Sequence, residues 1–289
     1  MPRPERILLL GGSGQLGQAL ARELVERGRD FVAPPRRELD LLDAQVAGRS
    51  IEQHAPSLVV YTAAYNDVAR AELATEREHL FRLNRDTPAA LARAAERSGA
   101  RFVFFSTDYV FDGAAERPYR EDDAPVPLQA YGRSKLEGER AVGEVDSEAL
   151  IVRTSTLFGP GPRTPPNFVD AILAQARTQE RLGVASPPVA APTFTIDLAR
   201  AVLRLVDERC AGIVHVTNSG QCSRLELARE AVRAAGSAAR IEERPEAAGG
   251  PRRPRFCVLD CARLAEWTGL RMRPWQEALA EHVRRVGAG

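Results

Sequence analysis

Lys135 is the single lysine among forty lysine and arginine residues, and it follows Tyr131 by four positions in Ala130-Tyr131-Gly132-Arg133-Ser134-Lys135. On a solvated face either cation serves, but a site that needs a compact ammonium on a flexible stem cannot accept a planar guanidinium. A helix over Tyr131 to Val145 places residues four apart on one face, with the amine beneath the phenol. A positive charge there favours the phenolate, drawing a group that titrates near about 10 toward the working range of a general acid. Tyr131 is the candidate proton donor and Lys135 its partner. Thr107 lies 24 positions before Tyr131, in Phe104-Phe105-Ser106-Thr107-Asp108-Tyr109. A hydroxyl there can hydrogen-bond a substrate carbonyl as charge develops on its oxygen.

A second constellation binds rather than reacts. Gly11-Gly12-Ser13-Gly14-Gln15-Leu16-Gly17 follows the first apolar run and opens a helical pattern. Glycines at 11, 14 and 17 suit a tight turn, close approach of the backbone to a pyrophosphate, and packing of helix on strand. The second strand ends in Ala33-Pro34-Pro35-Arg36-Arg37-Glu38-Leu39-Asp40, where a cation accepts a ribose 2′-phosphate and a carboxylate grips a 2′-hydroxyl. Two arginines lean toward NADPH, with Arg36 the candidate contact. Glu38 or Asp40 could instead reach the ribose or adenine edge, which leaves NADH open.

These groups need a scaffold that brings distant segments together. Ile7 to Leu10, Phe31 to Ala33, Leu58 to Thr62, Arg101 to Ser106 and Leu150 to Thr154 read as buried strands. Helical periodicity fits Gln15 to Arg27, Ala44 to His54, Thr75 to Ser98 and Tyr131 to Val145 between them. Short apolar strands alternating with helices predict a doubly wound α/β fold with a parallel sheet covered on both faces. In such sheets ligands bind beyond the carboxyl ends of the strands, where each of these motifs falls. Residues 1–154 read as a dinucleotide-binding Rossmann domain and 155–289 mainly as a smaller substrate-binding lobe. Within that lobe Asn167 to Gln179, Ile196 to Glu208, Ser223 to Ala235, Cys261 to Trp267 and Trp275 to Arg285 read as helices. About 193–218, with a strand at Gly212 to Thr217, is expected to return to the main sheet.

Forty cations against thirty-nine acids give a net charge of +1, which offers no single-sign field for nucleic acid or a membrane surface. The apolar run Ile7 to Leu10 is too short for a spanning helix or a secretory core, so a cytoplasmic enzyme is expected. Four cysteines in a chain of this size read as free thiols, and the four histidines show no ligand spacing, so no metal is expected.

With the glycine turn, Thr107, Tyr131 and Lys135 resemble the triad of the extended short-chain dehydrogenase/reductase superfamily. Within it the chain resembles the dTDP-4-dehydrorhamnose reductase family over nearly all its length. The resemblance rests on the glycine turn, Leu39-Asp40-Leu41-Leu42-Asp43, Ala63-Ala64-Tyr65, Ser106 to Gly113 and Tyr131 to Lys135. Arg153-Thr154-Ser155, Asn167-Phe168-Val169, Arg253-Pro254 and Val258-Leu259-Asp260 extend it. It implies hydride transfer from a nicotinamide to the C4 ketone of a nucleotide-linked 6-deoxyhexose. By carry-over Tyr131 protonates the forming alkoxide, Thr107 positions the carbonyl with Ser106 a less favoured stand-in, and Lys135 polarises Tyr131 and holds the nicotinamide ribose. Gly11, Gly14, Gln15, Leu16 and Gly17 line the pyrophosphate, Asp40 and Leu41 the adenine, and Ala63, Ala64 and Tyr65 the middle of the cofactor. Asn84 belongs with the cofactor-binding residues and supports the lysine and its water. Asp108, Thr156 and Asn167 face the substrate, and Arg253 either forks onto its diphosphate or belongs to a solvated charge run. A homodimer also fits the family.

Three positions depart from the family pattern: Thr156 where tryptophan is usual, Tyr61 where asparagine is usual and Ala69 where aspartate is usual. The stretch Pro160 to Pro166 is also longer than expected. The leading expectation is reduction of dTDP-4-dehydro-β-L-rhamnose to dTDP-L-rhamnose. Loss of the indole at 156 keeps another nucleotide 4-ketosugar of secondary metabolism open. A non-catalytic regulatory subunit, such as the β subunit of methionine adenosyltransferase that resembles the same family, is the third reading.

Overall fold

The structure is a computed structural model and describes residues 6–161, 166–246 and 249–287. Strands β1 (Ile7–Leu10), β2 (Phe31–Val32), β3 (Leu58–Tyr61), β4 (Arg101–Thr107) and β5 (Leu150–Thr154) alternate with helices. Those helices are α1 (Gln15–Glu26), α2 (Ala44–His54), α3 (Arg77–Phe81), α4 (Thr87–Ser98) and α5 (Ala130–Val145). Next come β6 (Leu157–Phe158), α6 (Phe168–Ala176), β7 (Arg181–Val184), β8 (Val189–Ala190), β9 (Thr193–Phe194) and α7 (Thr195–Asp207). Strand β10 (Gly212–His215) then pairs in parallel with β5, completing a six-stranded sheet of order β10-β5-β4-β3-β1-β2. The chain ends with β11 (Cys222–Ser223), α8 (Arg224–Ala234), β12 (Arg240–Glu243), α9 (Ala262–Thr268) and α10 (Trp275–Gly287).

Side-chain alternation explains why both sheet faces are dry. Ile7, Leu9, Val103 and Phe105 enter one apolar cluster with α1 and α7, while Leu8, Leu10, Phe102 and Phe104 enter another with α2 and α4. The lobe adds its own small core, in which Ile172, Leu182, Val184, Leu225 and Val232 join α6, α8 and the parallel β7–β12 pair.

Some expected bounds move. The helix expected over Thr75 to Ser98 is broken: α3 gives way to a π turn at Arg82–Asp86 before α4 begins. Pro188 and Pro192 flank the two-residue strands β8 and β9, which apolar periodicity is too short to reveal. The extended stretch from Pro160 to Pro166 lies partly outside the described residues.

The strand order reverses between β1 and β3, which sit side by side with Leu10 opposite Tyr61. Thr107 pairs with Thr154 at the same edge, so the carboxyl ends of β1, β3, β4 and β5 open onto one crevice.

Helix α5 reaches this edge because glycines let it come close. A methyl group at Gly138 would stand 2.1 Å from the Asn84 carbonyl oxygen and 3.0 Å from the Phe104 ring. Gly138→Ala is therefore expected to destabilise the protein by about 1–3 kcal/mol through overpacking, against the usual gain from alanine in a helix. Urea unfolding measures this, and an unchanged or raised midpoint would show that α5 is not seated this tightly.

Candidate active site

A cleft of about 950 Å³ runs along the switch point. Gly11, Gly14, Gln15 and Leu16 line one end with Arg36, Asp40 and Leu41; Ala63, Ala64 and Tyr65 line its middle; Thr107, Tyr131, Lys135, Thr156, Asn167 and Arg253 line the other end. Sequence reasoning thus names residues that the fold gathers into one place.

The glycine turn fits a dinucleotide. Gly11 has φ +86°, and a side chain there would meet the Ala63 backbone nitrogen at 2.6 Å. Helix α1 starts at Gly14 without a side-chain cap or an acid in its first turn, so its leading N–H groups face the cleft and can receive a pyrophosphate. Gly17 does not line the cleft. Its Cα packs on the turn, where a methyl would stand 2.3 Å from the Gly11 oxygen, so its part is to seat the helix. Beyond β2, Arg36 lines the cleft, whereas Arg37 and Glu38 turn outward and pair with each other.

Lys135 is buried, and its amine lies 4.0 Å from the centre of the Phe104 ring. Loss of hydration lowers its pKa to about 7, against the opposing pull of Glu139 one turn further along α5. Glu139 is held in turn by a buried, two-pronged pair with Arg153 at 2.9 and 2.7 Å, and the Arg153 guanidinium packs on Phe111. Tyr131 meets the Tyr109 ring edge-on at 6.2 Å. A methyl at Gly132, beside it, would strike the Tyr109 carbonyl oxygen at 2.1 Å, so only glycine lets the start of α5 lie against the β4 end. The Glu72 carboxylate accepts the Ala130 backbone N–H at 2.6 Å and ties the loop after β3 to that helix start.

Two residues that the resemblance names lie outside the lining of the cleft. Asn84 is fully buried outside the cleft lining; its amide donates to the Tyr65 carbonyl and the Ser134 hydroxyl and accepts the Tyr65 N–H, each at 2.9 Å. It braces the loop after β3 against α5. Asp108, expected against the substrate, is also buried and absent from the lining. The 3-10 turn at Asp108–Val110 carries its carboxylate beneath Thr107, where it accepts the Thr107 hydroxyl at 2.9 Å and the Ser155 hydroxyl at 2.5 Å. Burial raises its pKa to about 6 against the pull of these two hydrogen bonds and of the Asp108 and Tyr109 backbone N–H groups.

Asn167 lines the cleft and caps α6 through the Asp170 N–H. Thr156 lines it with φ +36°, a strained value for a β-branched residue. Tyr61, where asparagine is usual, is buried behind the site: its hydroxyl donates to the Leu83 carbonyl in the π turn and its ring stacks on Phe104. Ser106 also lines the cleft, and its hydroxyl has no hydrogen-bond partner among the described residues.

Arg224 escaped the sequence reading. It opens α8, stacks 4.5 Å from the Phe168 ring, lines the cleft and has no carboxylate partner among the described residues. Burial first and Arg253 second lower its proton affinity, and a guanidinium still keeps its charge at neutral pH. Two arginines on the cleft lining, neither with a carboxylate partner among the described residues, can receive an anion. Within the sequence Arg224 looks like an ordinary first-turn helix residue, and only the folded lobe shows its partner.

A Rossmann sheet with a phosphate turn at its switch point and a hydroxyl, a phenol and a buried amine across the cleft defines a reductase of the short-chain dehydrogenase/reductase class. The family model described as RmlD substrate binding domain matches residues 5–287. The dTDP-4-dehydrorhamnose reductase of Streptomyces griseus is 37% identical over 292 residues, covering 97% of this chain and 93% of that one. The dTDP-4-keto-6-deoxy-D-glucose reductase of Streptomyces niveus is 34% identical over 283 residues, covering 96% of each. The crystal structure of the Bacillus anthracis dTDP-4-dehydrorhamnose reductase in complex with NADP superposes with a TM-score of 0.92 at 29% identity, covering 97% of this chain and 99% of that one. The chain belongs to the RmlD substrate binding domain family, that of the dTDP-4-dehydrorhamnose reductases. Among the described residues no helix is long and apolar enough to cross a membrane.

The buried amine has a measurable signature. Its folded pKa near 7 lies below the ordinary 10.5, so its contribution is fully present above 10.5 and is lost as pH falls toward 7. Across that window the wild type should gain up to about 1.4 kcal/mol of unfolding free energy per pH unit relative to Lys135→Met. Parallel stability curves for the two proteins would place the amine in water instead.

Proposed function

We propose that this chain reduces the C4 ketone of a dTDP-4-keto-6-deoxyhexose with NADPH, converting dTDP-4-dehydro-β-L-rhamnose to dTDP-L-rhamnose. The observation that carries the reading is the meeting of Thr107, Tyr131 and Lys135 in the cleft that begins at the uncapped α1 terminus. A dinucleotide held along this cleft would supply the hydride that the carbonyl carbon receives. As the carbon–oxygen π bond opens, Tyr131 gives its proton to the oxygen, and Lys135 stabilises the phenolate left behind. The Thr107 hydroxyl holds the same oxygen. Arg224 and Arg253 suit the diphosphate, which anchors the sugar at a distance from the reacting carbon.

Arg36 supports NADPH, since it lines the adenine end while Glu38 is turned away; Asp40, on the same wall, leaves a path for NADH. The cytoplasmic setting enters this reading from the short apolar run Ile7 to Leu10, and the pairing of two copies through the family resemblance. A non-catalytic subunit fits less well, because Tyr131 and Lys135 are both intact in a chain that has no other lysine. The second reading, another nucleotide 4-ketosugar, is favoured by one observation: the strained Thr156 puts a small hydroxyl where the family usually has an indole.

Tyr131→Phe should lower turnover of the ketosugar by about 10²–10⁴-fold while leaving dinucleotide affinity nearly unchanged. Retained turnover would remove Tyr131 from the chemistry. Arg36→Ala should raise KM for NADPH by about tenfold and leave KM for NADH within about twofold, as loss of one charged hydrogen bond to a phosphate implies. Equal effects on both would place the 2′-phosphate elsewhere. Assays over several dTDP-4-ketosugars separate the two substrate readings.

A further inference from the structure

The hydrogen bonds beneath Thr107 conflict with its task. In the structure the Thr107 hydroxyl donates to Asp108 Oδ1 at 2.9 Å and accepts the Tyr109 backbone N–H at 3.2 Å. A hydroxyl has one proton, so while it points at Asp108 it has none for a substrate carbonyl. An ionised carboxylate can only accept, which locks that orientation. A protonated carboxyl can donate to Thr107 instead. The Thr107 oxygen then accepts from Asp108 and from Tyr109, and its own proton is released toward the cleft.

We propose that Asp108 is a positioning residue that acts as a neutral carboxylic acid, turning the Thr107 hydroxyl proton toward the ketone, with the Ser155 hydroxyl fixing its other oxygen. The inference rests on the reductase reading above. Asp108 keeps its proton throughout, so the balance of the reaction is unchanged: one hydride and the Tyr131 proton.

Three observations support it. Asp108 is buried and does not line the cleft, so it reaches substrate only through Thr107. No cation pairs with it among the described residues. Burial moves its pKa up to about 6, where a carboxyl of ordinary affinity would be ionised. The Ser155 and Thr107 hydroxyls and the backbone N–H groups of Asp108 and Tyr109 favour the ionised form, and burial outweighs them. Tyr109 follows it in the same turn, and Cys257 approaches from the loop after Arg253; burial raises the pKa of both, and the charge of Asp108 raises it further. The charges of Arg253 and Arg224 oppose that rise at Tyr109. From α5, which packs on the turn, come Tyr131 and Lys135, and on β5 the charge of Arg153 is taken up by Glu139.

The test uses Asp108→Asn, whose amide can donate to Thr107 and accept from Ser155 as the neutral acid does, together with Ser155→Ala. Ketosugar reduction by the wild type should fall between pH 5 and pH 8 by about tenfold or more beyond the fall seen in Asp108→Asn, since loss of one donor to the developing oxyanion costs about 10²-fold. The limb common to both belongs to Lys135. A wild-type profile that matches that of Asp108→Asn overturns the proposal and leaves the reductase reading intact.

A second readout needs no turnover. Carbon-13 NMR of labelled aspartate, assigned by the signal missing in Asp108→Asn, should show Asp108 titrating well above the ordinary carboxylate range, and higher still in Ser155→Ala, which loses a donor to the ionised form. A midpoint within the ordinary range, or one that does not move in Ser155→Ala, overturns the proposal even if no ketosugar is turned over.

Discussion

The site depends on keeping one ammonium out of water. Burying a charged amine is costly unless other groups stabilise it, and here the compensation is indirect. Lys135 rests on the face of Phe104, while the nearest carboxylate, Glu139, is already engaged by Arg153. The amine is thus held near neutrality by burial, with enough negative charge behind it to remain protonatable. Such a group can respond to a phenolate or to a ligand hydroxyl, which a fully hydrated lysine would scarcely notice. The apolar Phe104 that supports it is also a central strand residue of the sheet.

Parallel register turns this local arrangement into a site. Because Leu10 pairs with Tyr61 and Thr107 with Thr154, the loops that bind, position and react leave the sheet at one level. Their separation is then set by strand spacing rather than by long side chains. Small residues complete the fit: Gly132 and Gly138 allow α5 to touch the β4 end and the π turn. Tyr61 and Asn84 fasten that turn from below, one through Leu83 and one through Tyr65 and Ser134. The extra residue of a π turn is the kind of distortion often found near functional sites, and here it carries the asparagine that links two walls of the cleft.

Much of this was legible in the sequence because it depends on short-range pattern. Apolar runs alternating with helical periodicity give the parallel sheet, and a glycine turn between the first strand and helix gives the pyrophosphate end. The i, i+4 spacing of Tyr131 and Lys135 puts them on one helix face. What escaped the sequence depends on contacts between distant segments. The direction of the Asp108 side chain is set by a turn of three residues and by Ser155, 47 positions away. Asn84 was named, but its partners depend on a local irregularity that helical periodicity averages out. Arg224 acquires its role from Phe168, which no spacing rule connects to it. The very short strands β8 and β9 fall below the length at which alternation can be recognised.

The chemistry of the remaining basic residues follows from the one exception. Thirty-nine of the forty basic side chains are guanidinium groups, and the fortieth is inside the cleft. Ketosugars are carbonyl electrophiles that condense with primary amines, and acyl donors in the cell seek the same nucleophile. A coat of arginines gives the protein its positive charge without offering imine or amide chemistry to either. The one side-chain amine that could be trapped is therefore also the one that the reaction needs, and it is reached through the cleft alone.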